Sequence, residues 1–351
     1  MDFSFLGKSV ELGRIDGELR HLWETDDAST KASLVNFALY NEDPRSLADN
    51  HQMVARLTRE HACRALLIAV DRDQPAPAAR AWITAHCQLA NGDRAICSEQ
   101  VAFLIGGGGA EMIRNVVFAH LDSDLPLVFW WQGDFSDAFE DRLYSIIDRL
   151  IIDSGSWSRD PAGQFARLQQ AHEDPSSRFV VNDISWTRSF HMRQGLAHCF
   201  DDAPSLRALP TIDRLQLTVA PHRQVAGLML VAWIAARLER GITTDGSDVR
   251  LTDHHGQTPD IRVEVVDDPK PGVCIRSLEL SGPGCRFQLH HDHGDSHLQL
   301  LSDTPGHQMR HVIPADHEDE ADLVSEQLQR AGVNRLYFEM IPGLRRLLVR
   351  A

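Results

Sequence analysis

The sequence predicts an α/β protein in two parts. One is an N-terminal domain with a mainly parallel sheet flanked by helices; the other is a C-terminal α+β domain with an antiparallel sheet and a long buried helix. Three observations predict it. Over the first 200 or so residues, apolar runs such as Ala65–Val70 and Leu125–Trp131 alternate with segments of helical periodicity, the pattern of parallel strands covered on both faces. Beyond them the rhythm changes to short strands punctuated by Gly, Pro and Asp. The stretch Val225–Ala236 is apolar nearly all round, which marks a central helix. A length of 351 residues fits two domains. Residues 1–203 and 204–351 are the expected division, with Asp201-Asp202-Ala203-Pro204 as the linker.

In chain order, Pro44–Arg59 reads as a helix with Leu47, Met53, Val54 and Leu57 on its apolar face. Ala65–Val70 is a doubly buried strand, Pro75–Arg80 a loop, and Ala81–Leu89 and Ile96–Ile105 two further strands. The glycine run 106–109 leads into a helix at Glu111–Leu121, followed by the strand Leu125–Trp131 and a helix at Phe135–Leu150. A short strand at Leu150–Asp153 and a helix at Phe165–His172 complete a Rossmann-like first domain. In the second, Ile212–Ala220 is a strand and Pro221 opens the apolar helix. Strands are expected at Val249–Thr252, Ile261–Val266, Val273–Leu280, Cys285–His290 and Leu298–Leu301. The last helix, Glu320–Arg330, has acids in its first turn, Arg at its end and Gly332 beyond.

Composition excludes several classes. The net charge is −15, and no basic patch offsets it, so a nucleic-acid partner is not expected. Lysine occurs only at Lys8, Lys31 and Lys270; none follows a P-loop glycine run, and none sits in an apolar setting that would suit a Schiff base. The longest apolar stretch falls well short of the roughly 20 residues of a membrane span, and the Met-Asp-Phe-Ser start lacks the layout of a signal peptide. The six cysteines are scattered without a Cys-x-x-Cys, which reads as small buried thiols in a reducing, cytoplasmic setting.

Three constellations carry candidate chemistry. Gly106, Gly107, Gly108 and Gly109 lie between a strand and a helix, where backbone N–H groups can hold an anion; a flexible turn explains the same residues. The segment His290–His297 is dense in imidazole and carboxylate, but alternating strand geometry scatters such side chains. It reads as a polar hairpin, with no metal and no cofactor expected. No nucleophile motif such as Gly-x-Ser-x-Gly or His-Glu-x-x-His is present, so no catalytic residue is assigned. Trp130 and Trp131 end a strand whose carboxyl edge continues into Gln132-Gly133-Asp134. Adjacent strand residues face opposite ways, so one ring suits the core and the other a functional surface. That surface, with Asp134 and the arginines Arg114 and Arg188, is the expected partner-binding site.

Several segments together resemble one family. They are Cys97-Ser98-Glu99-Gln100-Val101, the glycine run, Ile113-Arg114-Asn115-Val116-Val117 and Asp124-Leu125-Pro126-Leu127-Val128-Phe129-Trp130-Trp131. Val10-Glu11-Leu12, Leu22-Trp23, Asp183-Ile184-Ser185-Trp186-Thr187-Arg188 and Ala232-Trp233-Ile234-Ala235-Ala236-Arg237-Leu238 continue the match. In this order they resemble the OpcA family, the glucose-6-phosphate dehydrogenase assembly proteins. The His-rich hairpin and the tail after Glu339 match nothing in its pattern. The resemblance implies a two-domain, non-catalytic factor whose partner is glucose-6-phosphate dehydrogenase, the NADP-dependent entry enzyme of the oxidative pentose phosphate pathway. The alternative is a sensor or enzyme that binds a phosphorylated ligand at the Gly106–Gly109 turn.

Overall fold

A computed structural model describes residues 2–24, 29–90, 94–107, 110–270, 272–329 and 335–349. By their internal contacts they form two compact units. The first comprises Met1–Ser158, Arg167–Asn182 and Val324–Gly332; the second comprises Arg159–Ala166, Asp183–Leu323 and Val333–Ala351. After the short stretch Arg159–Ala166, the chain passes into the body of the second unit at Asp183, earlier than a cut at residue 203. Asp201-Asp202-Ala203-Pro204 is no linker: Asp202 accepts a hydrogen bond from the Ser205 N–H and caps a helix at Ala203–Ala208. Acid followed by Pro serves a helix start as well as a loop.

The first unit is built on a sheet in the order Lys8–Val10, Ala78–Ala90, Arg94–Gly106, Cys63–Asp71, Val35–Asn41, Leu127–Trp131, Arg149–Ile152, Val180–Asp183, with Ser29–Lys31 beside Arg94–Gly106. The strands from Arg94–Gly106 across to Arg149–Ile152 pair in parallel. Ala78–Ala90 pairs antiparallel with Arg94–Gly106, so the segment expected as a loop to residue 80 is already strand from Ala78. From Val35–Asn41 the chain winds outward through Cys63–Asp71 to Arg94–Gly106. It then returns to the other side of its first parallel strand with Leu127–Trp131. This is a doubly wound order, and its switch point lies between Val35–Asn41 and Leu127–Trp131. The helix Ser46–Leu57 packs on Cys63–Asp71 and buries Leu47, Asn50, Val54 and Leu57, the spacing of one helical face.

The expected helix over Phe135–Leu150 shrinks to Asp141–Tyr144. Arg167 explains why: its guanidinium donates to the carbonyls of Phe135, Ser136 and Phe139, and holds this segment in turns. Two of the six cysteines also depart from the expectation of free thiols. Cys87 and Cys97 stand directly opposite each other on paired strands and form a disulfide, while Cys63, Cys199, Cys274 and Cys285 are buried thiols.

In the second unit the sheet order is Gly241–Asp245, Asp248–Thr252, Ile261–Asp267, Arg214–Val219, Ile275–Gly282, Cys285–His290, His297–Thr304, His307–Pro314. Every neighbouring pair is antiparallel except Arg214–Val219 with Ile261–Asp267. The long apolar helix is Gln224–Arg237. A Cβ at Gly227 would lie 2.6 Å from Val219, so glycine lets helix and sheet approach closely. Against it packs Arg335–Leu348, a helix that Pro342-Gly343 disguises as a turn. Among the described residues, no helix is long and apolar enough to cross a membrane.

Four histidines of the first unit, His61, His86, His120 and His172, are held below the ordinary imidazole pKa, with burial the largest cause for each. The unfolded chain therefore takes up these protons first as pH falls. Their stabilisation is complete above about pH 6.5 and is lost as pH drops through the lower folded-state values. The melting temperature of the first unit is expected to fall between pH 7.5 and 5. An unchanged melting temperature over that window would contradict the assignment.

Candidate functional site

In doubly wound sheets, ligands lie outside the carboxyl ends of the strands at the switch point. Here Tyr40 and Asn41 end one flanking strand, and Trp131 ends the other with Gln132 just beyond it, tied by the Gln132 N–H donating to the Tyr40 carbonyl at 2.9 Å. Val35–Asn41 alternates Phe37 and Leu39 with Ala38 and Tyr40 on opposite faces, all fully buried. Its end emerges as Asn41-Glu42-Asp43-Pro44, and the helix Ser46–Leu57 begins at once.

Two polar networks occupy the carboxyl ends of these strands. In one, Tyr40 Oη donates to Glu42 Oε1 at 2.6 Å, and Arg72 Nη2 donates to the same oxygen at 2.6 Å, to Ser136 Oγ at 3.0 Å and to Asp137 Oδ1 at 2.8 Å. Burial disfavours the Glu42 carboxylate, but donation from Arg72, Ser136 and Tyr40 outweighs it and holds its pKa below the ordinary glutamate value. Burial, and then Glu42, push the Tyr40 phenol far up, so it is no base at neutral pH. In the other, Gln132 and Asn50 exchange side-chain hydrogen bonds at 2.9 Å, and Asn41 Nδ2 donates to Gln132 Oε1 at 3.1 Å.

This is where a dinucleotide's phosphates would lie, on the turn after the first strand and the N-terminus of the following helix. The turn contains no glycine. Its amides are already taken: Asp43 N–H donates to Asn41 Oδ1, Arg45 N–H to Asp43 Oδ1 and Ser46 N–H to the Asp43 carbonyl. Glu42 and Asp43 put carboxylates where a phosphate would need donors.

The expected site residues fall differently. Trp130 and Trp131 are 1% and 0% exposed, so neither is a surface anchor. Their strand lies between two parallel neighbours and all five of its residues are buried, so opposite-facing neighbours are both inside. Trp131 Nε1 donates to the Asp134 carbonyl at 3.1 Å, and the Asp134 carboxylate accepts from Ser158 N and Oγ at 2.9 and 2.7 Å; Asp134 closes a loop. Arg114 lies 3.6 Å from Glu140, mostly covered. Arg188 is buried and donates to the Glu318 carbonyl at 2.9 Å, so its place is structural.

The glycine turn is likewise filled. A Cβ at Gly106 would meet Gln74, and Gly107, at φ +57°, packs on Ala76 and donates its N–H to the Asp71 carbonyl. That conformation and that crowding require glycine for the turn itself. Gly108 and Gly109 lie outside the described residues. The histidines of the expected hairpin take separate partners: His290 faces Asp292, His291 the Asp295 carbonyl, His293 the Gly272 carbonyl and His297 Ser296. Sequence reasoning missed Glu42, Arg72, Asn41 and Asn50, and named Gln132 only as part of the edge beyond Trp131. The one available signal was the polar Asn-Glu-Asp-Pro break after the apolar Phe37–Tyr40 run.

Residues 54–170 match the family model for the glucose-6-phosphate dehydrogenase subunit N-terminal domain, and residues 180–341 match that for the C-terminal domain. A protein of Synechococcus elongatus carrying the name OxPP cycle protein OpcA is 24% identical over 311 residues, 81% of this chain and 67% of that protein. One of Nostoc punctiforme with the same name is 26% identical over 164 residues, 46% of this chain and only 34% of that protein. Among solved structures, the transcriptional regulator Gal80p of Kluyveromyces lactis is 8% identical at a TM-score of 0.47, covering 90% of this chain and 91% of that one. The aldose-aldose oxidoreductase of Caulobacter crescentus is 10% identical at a TM-score of 0.47, covering 90% and 97%.

Proposed function

The chain belongs to the OpcA family, the glucose-6-phosphate dehydrogenase assembly proteins, and from that membership we propose that it is a non-catalytic partner of glucose-6-phosphate dehydrogenase. It binds the enzyme in the cytoplasm and raises its activity by promoting its active assembly, at the entry to the oxidative pentose phosphate pathway. The observation that supports a binding role over an enzymatic one is the turn at the switch point. Glu42 and Asp43 stand where a dinucleotide's phosphates would sit, and the amides that would hold them are bonded within the chain. In this doubly wound sheet the turn after the first strand carries carboxylates, and the arginines beside it, Arg72 and Arg45, are paired with them.

The test is a reconstitution. Incubated alone with glucose-6-phosphate and NADP, the chain is expected to produce no NADPH above background. Added to the dehydrogenase of its own organism, it is expected to raise the rate in proportion to complex formed. NADP reduction by the chain alone, or a dehydrogenase rate unchanged at saturating chain, would overturn the reading.

A further inference from the structure

The second unit's sheet ends on His307–Pro314, which pairs with His297–Thr304 on one side and has no strand on the other among the described residues. Edges of this kind expose unpaired backbone groups, and proteins guard them with lysine, bulges, short length or a covering element. This edge runs for eight residues in unbroken register, without lysine, and its one proline is the last residue. The opposite edge, Gly241–Asp245, is five residues long and packs against the helix Arg335–Leu348.

The sheet face beside the open edge is also prepared for a guest. Strand alternation turns Phe287, Leu289, Leu298 and Leu300 into the core and leaves the other face open. On that face the register sets Gln288, Leu301 and Arg310 in one row and His290, Gln299 and Val312 in the next. They floor a recess of about 650 Å³ that the hairpin residues Asp295 and His297 help to close. Val312 is 65% exposed, an apolar side chain in an otherwise polar row.

Charge selects the occupant. The chain carries −15 overall, yet the ionisable side chains of this strand are His307, Arg310 and His311, with no acid among them. A second copy paired antiparallel about Arg310 would set the two guanidiniums against each other on one face, like charges opposed, which disfavours self-pairing. An acidic strand instead brings a carboxylate to Arg310.

We propose that His307–Pro314 receives an extended, acidic segment of glucose-6-phosphate dehydrogenase as an added strand. Backbone hydrogen bonds supply the attachment; alternate side chains of the guest enter the recess, and a carboxylate meets Arg310. The proposal rests on the partner named above.

The experiment uses the full chain and its own organism's dehydrogenase. Hydrogen exchange of residues 307–314 is expected to slow by roughly tenfold or more in the complex. Arg310→Glu and Val312→Asp, both at exposed positions, are expected to keep the melting temperature and weaken binding by roughly tenfold or more. Wild-type chain that binds no dehydrogenase overturns the partner reading and this proposal together. A complex in which 307–314 stays unprotected, or folded variants that bind like wild type, overturns the surface alone. Protection that grows with concentration in the chain without dehydrogenase assigns the strand to a second copy and overturns the acidic occupant.

Discussion

Trp131→Ala is expected to destabilise the first unit by about 3–5 kcal/mol, the range for removing a buried large aromatic side chain. Trp131 is enclosed by Tyr40 at 4.2 Å, Phe139 at 5.5 Å and Phe135 at 5.7 Å between ring centroids, with Phe135 stacked on Phe139 at 4.1 Å. Truncation removes the centre of this cluster and leaves the Asp134 carbonyl without its indole donor. Trp131→Phe retains much of the apolar contact and is expected to cost less. Denaturant titration reads both. A folded Trp131→Ala chain with a wild-type midpoint and lost dehydrogenase binding would restore the surface-anchor role that burial removes.

Asp268→Ala is expected to cost the second unit about 3–5 kcal/mol, because it breaks a buried ion pair from one side. The Asp268 side chain is fully buried, and its carboxylate accepts from Arg276 Nε at 2.6 Å and from the Lys270 N–H at 2.8 Å. Arg276 also donates to the Lys270 carbonyl and to Asp292, so one guanidinium ties together the ends of Ile261–Asp267, Ile275–Gly282 and Cys285–His290. Removing the carboxylate leaves Arg276, itself largely covered, without its main counter-charge. Asp268→Asn keeps an acceptor for the Lys270 N–H and should lose less. Equal midpoints for Asp268→Ala and wild type would show that solvent already screens the pair.

What could be read from the sequence follows from how locally each feature is encoded. Cys63–Asp71 and Leu127–Trp131 are legible because a strand covered on both faces needs an unbroken apolar run. Val35–Asn41 carries the same burial, but Asn36 interrupts it. That side chain is buried because it donates to the Asp122 and Leu125 carbonyls and accepts from the Asp122 N–H, partners 86 to 89 residues away. Without this strand the winding order, and so the switch point, stays hidden. The Glu42–Arg72 pairing is likewise a product of topology, since it joins the ends of adjacent parallel strands. The tryptophan pair shows the converse. Opposite orientation was legible from alternation, but exposure depends on what covers each face, which no local pattern carries.

The central claim is that this chain acts by associating with glucose-6-phosphate dehydrogenase rather than by turning over NADP itself. It is tested most directly by measuring the mass of the dehydrogenase in solution, with and without the chain, while following its rate in the same samples. A heavier assembly containing both chains is expected, with activity rising as that species forms. A dehydrogenase whose mass and rate are both unchanged at saturating chain would contradict it.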